Sequence, residues 1–114
     1  MAKEHGDLLQ GTLALVILKA LAGGEEHGFG IARWIERTSD DVLIIEEGSL
    51  YPALRRLEDR GWISSRWGLS DNNRRARYYS LTRTGRQHLR GEAASWLMFA
   101  RAVTSVLRAE PALA

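Results

Sequence analysis

The 114-residue sequence predicts a mainly α-helical protein carrying one small β-hairpin. Three observations carry that prediction. Apolar residues recur at helical spacing in three early segments and in one long late segment. Between them the period changes to strict alternation on both sides of an Asp/Asn-containing turn, the pattern of a hairpin. The composition is that of a globular chain, 45% hydrophobic and 26% charged, long enough for one modest core or a core with one appended helix.

The elements follow in order. "LALVILKALA", Leu13 to Ala22, is apolar nearly all round, which marks a buried central helix that Gly23-Gly24 ends. In "HGFGIARWIERTS", Ile31 and Ile35 stand four apart while Arg33, Glu36 and Arg37 turn outward, so a second helix ends near Thr38. "DDVLII" is expected to be a short extended stretch. In "EEGSLYPALRRLEDRGW", Leu50, Leu54 and Leu57 form one helical face and Gly61 stops the helix. Ser49 is its expected N-cap, and Pro52 is expected within the first turn, where a missing N–H is tolerated.

"WISSRWGL" then alternates, with Ile63, Ser65 and Trp67 on one face and Ser64 and Arg66 on the other. Across a turn at Asp71–Arg75, "RYYSL" places Tyr79 and Leu81 together. From Thr82 onward one long helix is predicted. Leu89, Ala93, Trp96, Ala100, Val103 and Leu107 form an a/d seam along it, with Phe99, Ala102 and Val106 in a row beside the seam. One small domain covers only one of these faces, so the other is expected to meet a second copy in a homodimer. The alternative is a single helix packed on its own core. Met1–Gly6 and the last residues from Ala109 read as frayed ends.

The net charge of +2 conceals an asymmetry. Met1 to Leu54 holds four basic and nine acidic residues, a balance of −5; Arg55 to Arg90 holds ten arginines and three acidic residues, a balance of +7. Such a field is either a solvated face or the footprint of a polyanion. Arginine rather than lysine favours forked contacts to phosphates or guanine edges. There is no cysteine, so disulfides and thiolate metal sites are excluded. The longest apolar run is too short for a bilayer and contains Lys19, and no signal peptide is expected. The protein reads as cytoplasmic, with no membrane partner.

Three helices followed by a hairpin with a basic tip is the winged helix-turn-helix arrangement, here with a long C-terminal dimerisation helix. With its leucines inward, the third helix is expected to present Ser49, Pro52, Ala53 and Arg56, flanked by Tyr51, Arg55 and Arg60. Small residues near its N-terminus suit close entry into a major groove, and arginines further along suit a grip on either side. The hairpin tip, Asn72, Asn73, Arg74 and Arg75, is then placed to reach a neighbouring phosphate or the minor groove. Arg77 either joins that contact or pairs with an acidic neighbour. Tyr78 and Tyr79 read as half core, and Arg60 as a group that could satisfy the end of its own helix.

"LLQGTLALVILKAL", "HGFGIARWIE", "EEGSLYPALRRLEDRGWISSRWG" and "NNRRARYYSLTRTG" resemble, in order, the signatures of the PadR family of bacterial transcriptional regulators. The resemblance spans roughly Leu8 to Val106, and the single last helix is similar to the short branch of that family. It implies a winged-helix DNA-binding domain over 8–82 and a dimerisation helix over 83–108. It also implies a homodimer that represses transcription from an inverted-repeat operator on double-stranded DNA. The family's DNA-contacting helix falls on Gly48–Arg60 and its wing on Trp62–Leu81. In some short-branch members planar apolar compounds bind at the dimer interface, which makes Trp96 and Phe99 candidates for a small aromatic effector. A tryptophan on an apolar helix face is also ordinary dimer packing.

No enzyme is expected. His5, His27 and His88 are scattered without metal-ligand spacing, and no metal or cofactor is implied. "HGFG" opens an amphipathic helix rather than a phosphate loop, and His27 there reads as a cap. Glu46-Glu47 suits a helix start electrostatically. A winged-helix protein-interaction module with only nonspecific DNA affinity is the alternative function.

Overall fold

Apolar residues at helical spacing draw three short helices, the base of a hairpin and the root of a long helix around one core. A computed structural model describes residues 12–112; the expectations for Met1–Gly6, and for a domain start at residue 8, lie outside them. Among the described residues the order is α1 (Leu13–Ala20), a 3₁₀ turn (Leu21–Gly23), β1 (Glu26–His27), α2 (Gly28–Thr38), α3 (Glu47–Asp59), β2 (Ile63–Leu69), β3 (Arg75–Leu81) and α4 (Arg83–Arg108). The antiparallel sheet has the order β1-β3-β2. β2 and β3 pair from Ile63↔Leu81 to Leu69↔Arg75, while β1 adds only Glu26↔Tyr79 and His27↔Tyr78.

Ile17, Leu18 and Leu21 meet Ile31, Leu50, Leu54 and Ile63 at the centre, all fully buried. Burying side chains of this kind stabilises by about 1.5–3 kcal/mol each. No charged side chain is buried among the described residues, and the core is aliphatic apart from Tyr79. His27 caps α2 as expected, its Nδ1 accepting the Gly30 N–H at 3.0 Å. Thr82 caps α4 in the same way, its Oγ1 accepting the Gly85 N–H at 3.0 Å.

Several local expectations are corrected. α1 stops at Ala20, and the chain tightens into the 3₁₀ turn before Gly24, whose φ of 141° only glycine adopts readily. "DDVLII" is not a strand. Asp40 and Asp41 take positive φ, and Ser39 Oγ accepts the Leu43 N–H at 3.0 Å, curling the chain into a turn. The third strand is instead β1. α3 begins at Glu47 with Glu46 as an N-cap that makes no side-chain bond, so Ser49 lies inside the first turn rather than capping it. Pro52 therefore falls in the second turn, where it removes one helical hydrogen bond. Ala53 is 1% exposed and faces the core. The hairpin turn spans Ser70 to Arg74, with Arg75 already in β3.

α4 is one unbroken helix whose root belongs to the core. Gly85 is buried with its Cα against the Trp62 backbone carbonyl, and Trp62 stacks on His88 with ring centroids 3.6 Å apart. Leu89, the first seam position, is 8% exposed and packs in the chain's own core, with Ala93 against it. Beyond Ala93 the helix leaves the body.

Candidate nucleic-acid interface

Because Leu50, Ala53, Leu54 and Leu57 turn inward, α3 leaves Tyr51, Pro52, Arg55 and Arg56 exposed and Ser49 half-exposed. Gly48, just before Ser49, has nothing within 4 Å of the position its Cβ would take, so the N-terminal end of α3 is open to a close approach. The side chains of Arg55 and Arg56 make no hydrogen bond or ion pair among the described residues. Their charge is available to a partner. The Tyr51 ring lies against Gly28, where an added Cβ would meet the phenol oxygen at 2.7 Å. This contact lets α2 and α3 approach closely and holds Tyr51 at the mouth between them.

The wing tip is folded by its own polar groups. Ser70 N–H donates to the Arg74 carbonyl at 2.8 Å, Arg74 N–H donates back to Ser70 Oγ at 3.3 Å, and Asn73 N–H donates to the Ser70 carbonyl at 2.9 Å. Asn73 takes φ 61°, a left-handed conformation that asparagine tolerates well. The Arg74 side chain projects from this turn exposed and without a partner among the described residues.

The two faces of the hairpin use their arginines differently. On the face shared by Trp67, Arg75 and Arg77, the Arg75 guanidinium lies 4.6 Å and that of Arg77 5.4 Å from the Trp67 ring centroid. Trp67 is 53% exposed, so the alternation that put it with Ile63 is right but its burial does not follow. It is a platform for two cations. Arg77 also donates through Nε to Ser65 Oγ at 2.9 Å and stands 3.7 Å from Glu58 of α3. Ser65 in turn donates to Glu58 Oε2 at 2.6 Å. Of the two readings of Arg77, pairing with an acidic neighbour is therefore present, and it ties the wing to α3.

On the opposite face Arg66 grips Glu25 with two nitrogens and stacks over Tyr78 at 5.1 Å. The hydrogen bond from Arg66 holds the Glu25 carboxyl below its usual range. Arg60 lies 5.1 Å over Trp62. Tyr79 is core and Tyr78 half-buried; burial raises the Tyr79 hydroxyl above its ordinary pKa.

The outer α4 positions stand clear of the core. Trp96, Val103 and Leu107 are exposed, Leu107 by 78%, as is Phe99, while Ala100 is half-buried. No group of three potential metal ligands occurs among the described residues. Sequence reasoning overlooked Glu58 and Trp67 as organisers of the wing, and also Arg33 and Arg37, which line a groove with the wing tip. The i, i+4 spacing of Phe29, Arg33 and Arg37 was the available signal for the latter.

The profile of the transcriptional regulator PadR-like family matches residues 17–91. An uncharacterised protein of Lysinibacillus sphaericus is 29% identical over 93 residues, covering 81% of this chain and 84% of that protein. The negative transcriptional regulator PadR of Bacillus subtilis is 28% identical over 78 residues; this is 68% of the present chain but 43% of that relative. Among solved structures, a PadR-like transcriptional regulator from Bacillus cereus matches with a TM-score of 0.79 at 26% identity, over 91% of this chain and 99% of that one. A PadR family regulator from Eggerthella lenta matches with a TM-score of 0.77 at 28% identity, over 96% and 93%.

Proposed function

The chain belongs to the PadR-like family of transcriptional regulators, which bind DNA and are not enzymes, and from that premise we propose that it is a sequence-specific repressor. It acts in the cytoplasm as a homodimer on an inverted-repeat operator in double-stranded DNA. The observation that carries this reading is the pairing of unpartnered arginines on α3 and the wing tip, Arg55, Arg56 and Arg74, with the Glu58–Arg77–Ser65 link that fixes the two elements to each other. α3 enters the major groove with Ser49 and Tyr51 foremost, Pro52 against the groove wall, and Arg55 and Arg56 gripping its edges. Asn73, Arg74 and Arg75 reach the adjoining phosphate or minor groove, with the Arg75 guanidinium stacked over Trp67. Arg77 contributes charge there but is mainly a tether.

The dimer forms through α4. Beyond Leu89 and Ala93 the seam residues Trp96, Val103 and Leu107 are uncovered and Ala100 half-covered, with Phe99 and Val106 exposed in the row beside them, an apolar face that a second copy would bury. Residues 8–82 then form the reading head and 83–108 the dimerisation helix, whose root is shared with the head. Trp96 and Phe99, three residues apart and both exposed, are the walls we assign to a small apolar aromatic effector whose binding releases DNA. No helix among the described residues is long and apolar enough to cross a membrane.

The test is fluorescence anisotropy on the duplex upstream of the protein's own gene, beside a shuffled duplex of equal composition, across a salt series. Preference for the native duplex that survives at higher salt supports the reading. Arg74→Ala with Arg75→Ala should flatten the salt dependence by about 0.9 units of slope per lost phosphate contact. Arg56→Ala or Tyr51→Ala should alter preference among operator variants, by roughly 1–3 kcal/mol per base contact. Equal, salt-labile binding to both duplexes together with tight capture of an acidic protein would favour the interaction-module alternative.

A further inference from the structure

β1 pairs with β3 only at Tyr78 and Tyr79, so the β3 edge beyond them, at Arg75 and Ala76, is left uncovered. α2 starts directly after β1. The result is an open-sided groove of about 620 Å³ between the outward stripe of α2 and the wing tip. Phe29, Arg33 and Arg37 form the α2 wall, since residues four apart share a helix face. Arg74 and Arg75 stand on the wing wall.

The charge in this groove is not neutralised from within. Its four arginines meet two carboxylates, Glu26 and Asp71. Glu26 already accepts the His27 N–H at 2.9 Å. Arg33 approaches Glu36 only to 3.8 Å in an exposed pair, which contributes little. The guanidinium groups of Arg37 and Arg74 have no hydrogen bond or ion pair among the described residues. The exposed Phe29 ring adds an apolar surface beside Arg33, whose guanidinium lies 6.0 Å from the ring centroid. α3 packs beside the start of α2, where Tyr51 rests on Gly28, one residue before the groove-lining Phe29. Cations on both walls, an apolar strip and open sides suit a sugar–phosphate chain passing through, rather than a small anion enclosed on all sides.

We propose that this groove seats the DNA strand running between the major groove entered by α3 and the site reached by the wing. Arg33 and Arg37 are phosphate contacts of α2, additional to those of α3 and the wing, and Phe29 packs against a deoxyribose. This assignment rests on the DNA-binding reading above and extends its footprint onto α2.

The experiment compares wild type, Arg33→Ala/Arg37→Ala and Arg33→Lys/Arg37→Lys on a long operator duplex by anisotropy over a salt series, with circular dichroism to establish that each is folded. The alanine pair should lower the slope of log K against log salt by about 1.8, two contacts at about 0.9 each. Its preference for operator over shuffled duplex should be unchanged, because phosphate contacts carry no base information. The lysine pair should keep the wild-type slope. If the alanine pair keeps that slope while Arg74→Ala/Arg75→Ala lowers it, the groove does not hold the strand and the DNA-binding reading stands without it. If wild type shows no salt-dependent affinity for any duplex, the underlying reading itself falls. Pyrophosphate titrated at constant ionic strength supplies the other arm. Binding of pyrophosphate that is lost in the alanine pair, with an unchanged DNA slope, would assign the groove to free small polyanions and overturn the proposal.

Discussion

The same substitution at two places in α4 should move stability in opposite directions. In an open helix interior, Gly→Ala stabilises by about 1 kcal/mol. Gly91 is such a site, with nothing within 4 Å of the position its Cβ would occupy. Gly85 is not: an added Cβ would stand 2.8 Å from the Trp62 carbonyl carbon and closer still to its oxygen. That oxygen cannot swing aside, because it accepts the Thr82 N–H at 3.0 Å, and Thr82 and Thr84 both donate to the Gly61 carbonyl, at 2.6 and 3.0 Å. Overpacking of this kind costs roughly 1–3 kcal/mol, and a backbone obstacle places Gly85→Ala toward the upper end. After the propensity gain, a net loss of about 1–2 kcal/mol remains. The two variants should therefore differ by about 2–3 kcal/mol, or on the order of 10 °C in Tm for a domain of this size. Thermal unfolding followed by circular dichroism, at one protein concentration for all variants, reads this difference. A Gly85→Ala protein that melts at or above wild type would show that α4 is not seated on Trp62. Equal shifts in both variants would mean that propensity alone decides.

Replacing His27 by alanine removes the α2 cap and should cost about 1 kcal/mol, read as a lower urea midpoint at unchanged m; no change would deny the cap its role. Burial raises the Tyr79 pKa in the folded state, so the unfolded chain ionises first and stability is present below about pH 10 and lost as pH rises through the folded pKa. Tyr79→Phe should accordingly show a shallower alkaline fall in stability than wild type, and parallel falls would contradict that linkage. Val103→Arg with Leu107→Arg should give folded monomers in sedimentation, since both side chains are uncovered; a persistent dimer would move the interface elsewhere. Leu89→Arg should instead unfold the chain, because Leu89 lies in its own core.

Legibility followed the range of the interactions. Ile31 with Ile35, and Leu50 with Leu54 and Leu57, declare their helices through local spacing, and the alternating hairpin declares itself likewise. β1 does not, because two residues paired across the whole of α2 and α3 leave no local pattern. Val42 to Ile45 look like a strand, but Asp40, Asp41 and Ser39 bend the chain through side-chain and left-handed geometry that apolar content conceals. Ala53 lies at the boundary of its helix face, where a small residue signals neither side. At the interface, the excess of arginine was visible while its allocation was not. Which guanidinium is bound to Glu25, held by Glu58, stacked on Trp67 or left without a partner depends on residues brought together only by folding.

The unbroken α4 has a geometric consequence for an assembly built on it. Its root is wedged against Trp62, the residue that precedes β2, so the helix and the base of the wing turn as one rigid lever. From Gly85 to Arg108 the lever is about 35 Å long at 1.5 Å per residue. In the dimer proposed above, a change of about 10° in the angle at which two such levers cross displaces the two heads relative to each other by about 6 Å, about 3 Å for each, close to the rise of two base pairs. Substitutions near Val103 and Leu107, remote from every arginine of the interface, would thus retune which half-site separation the pair of heads can span.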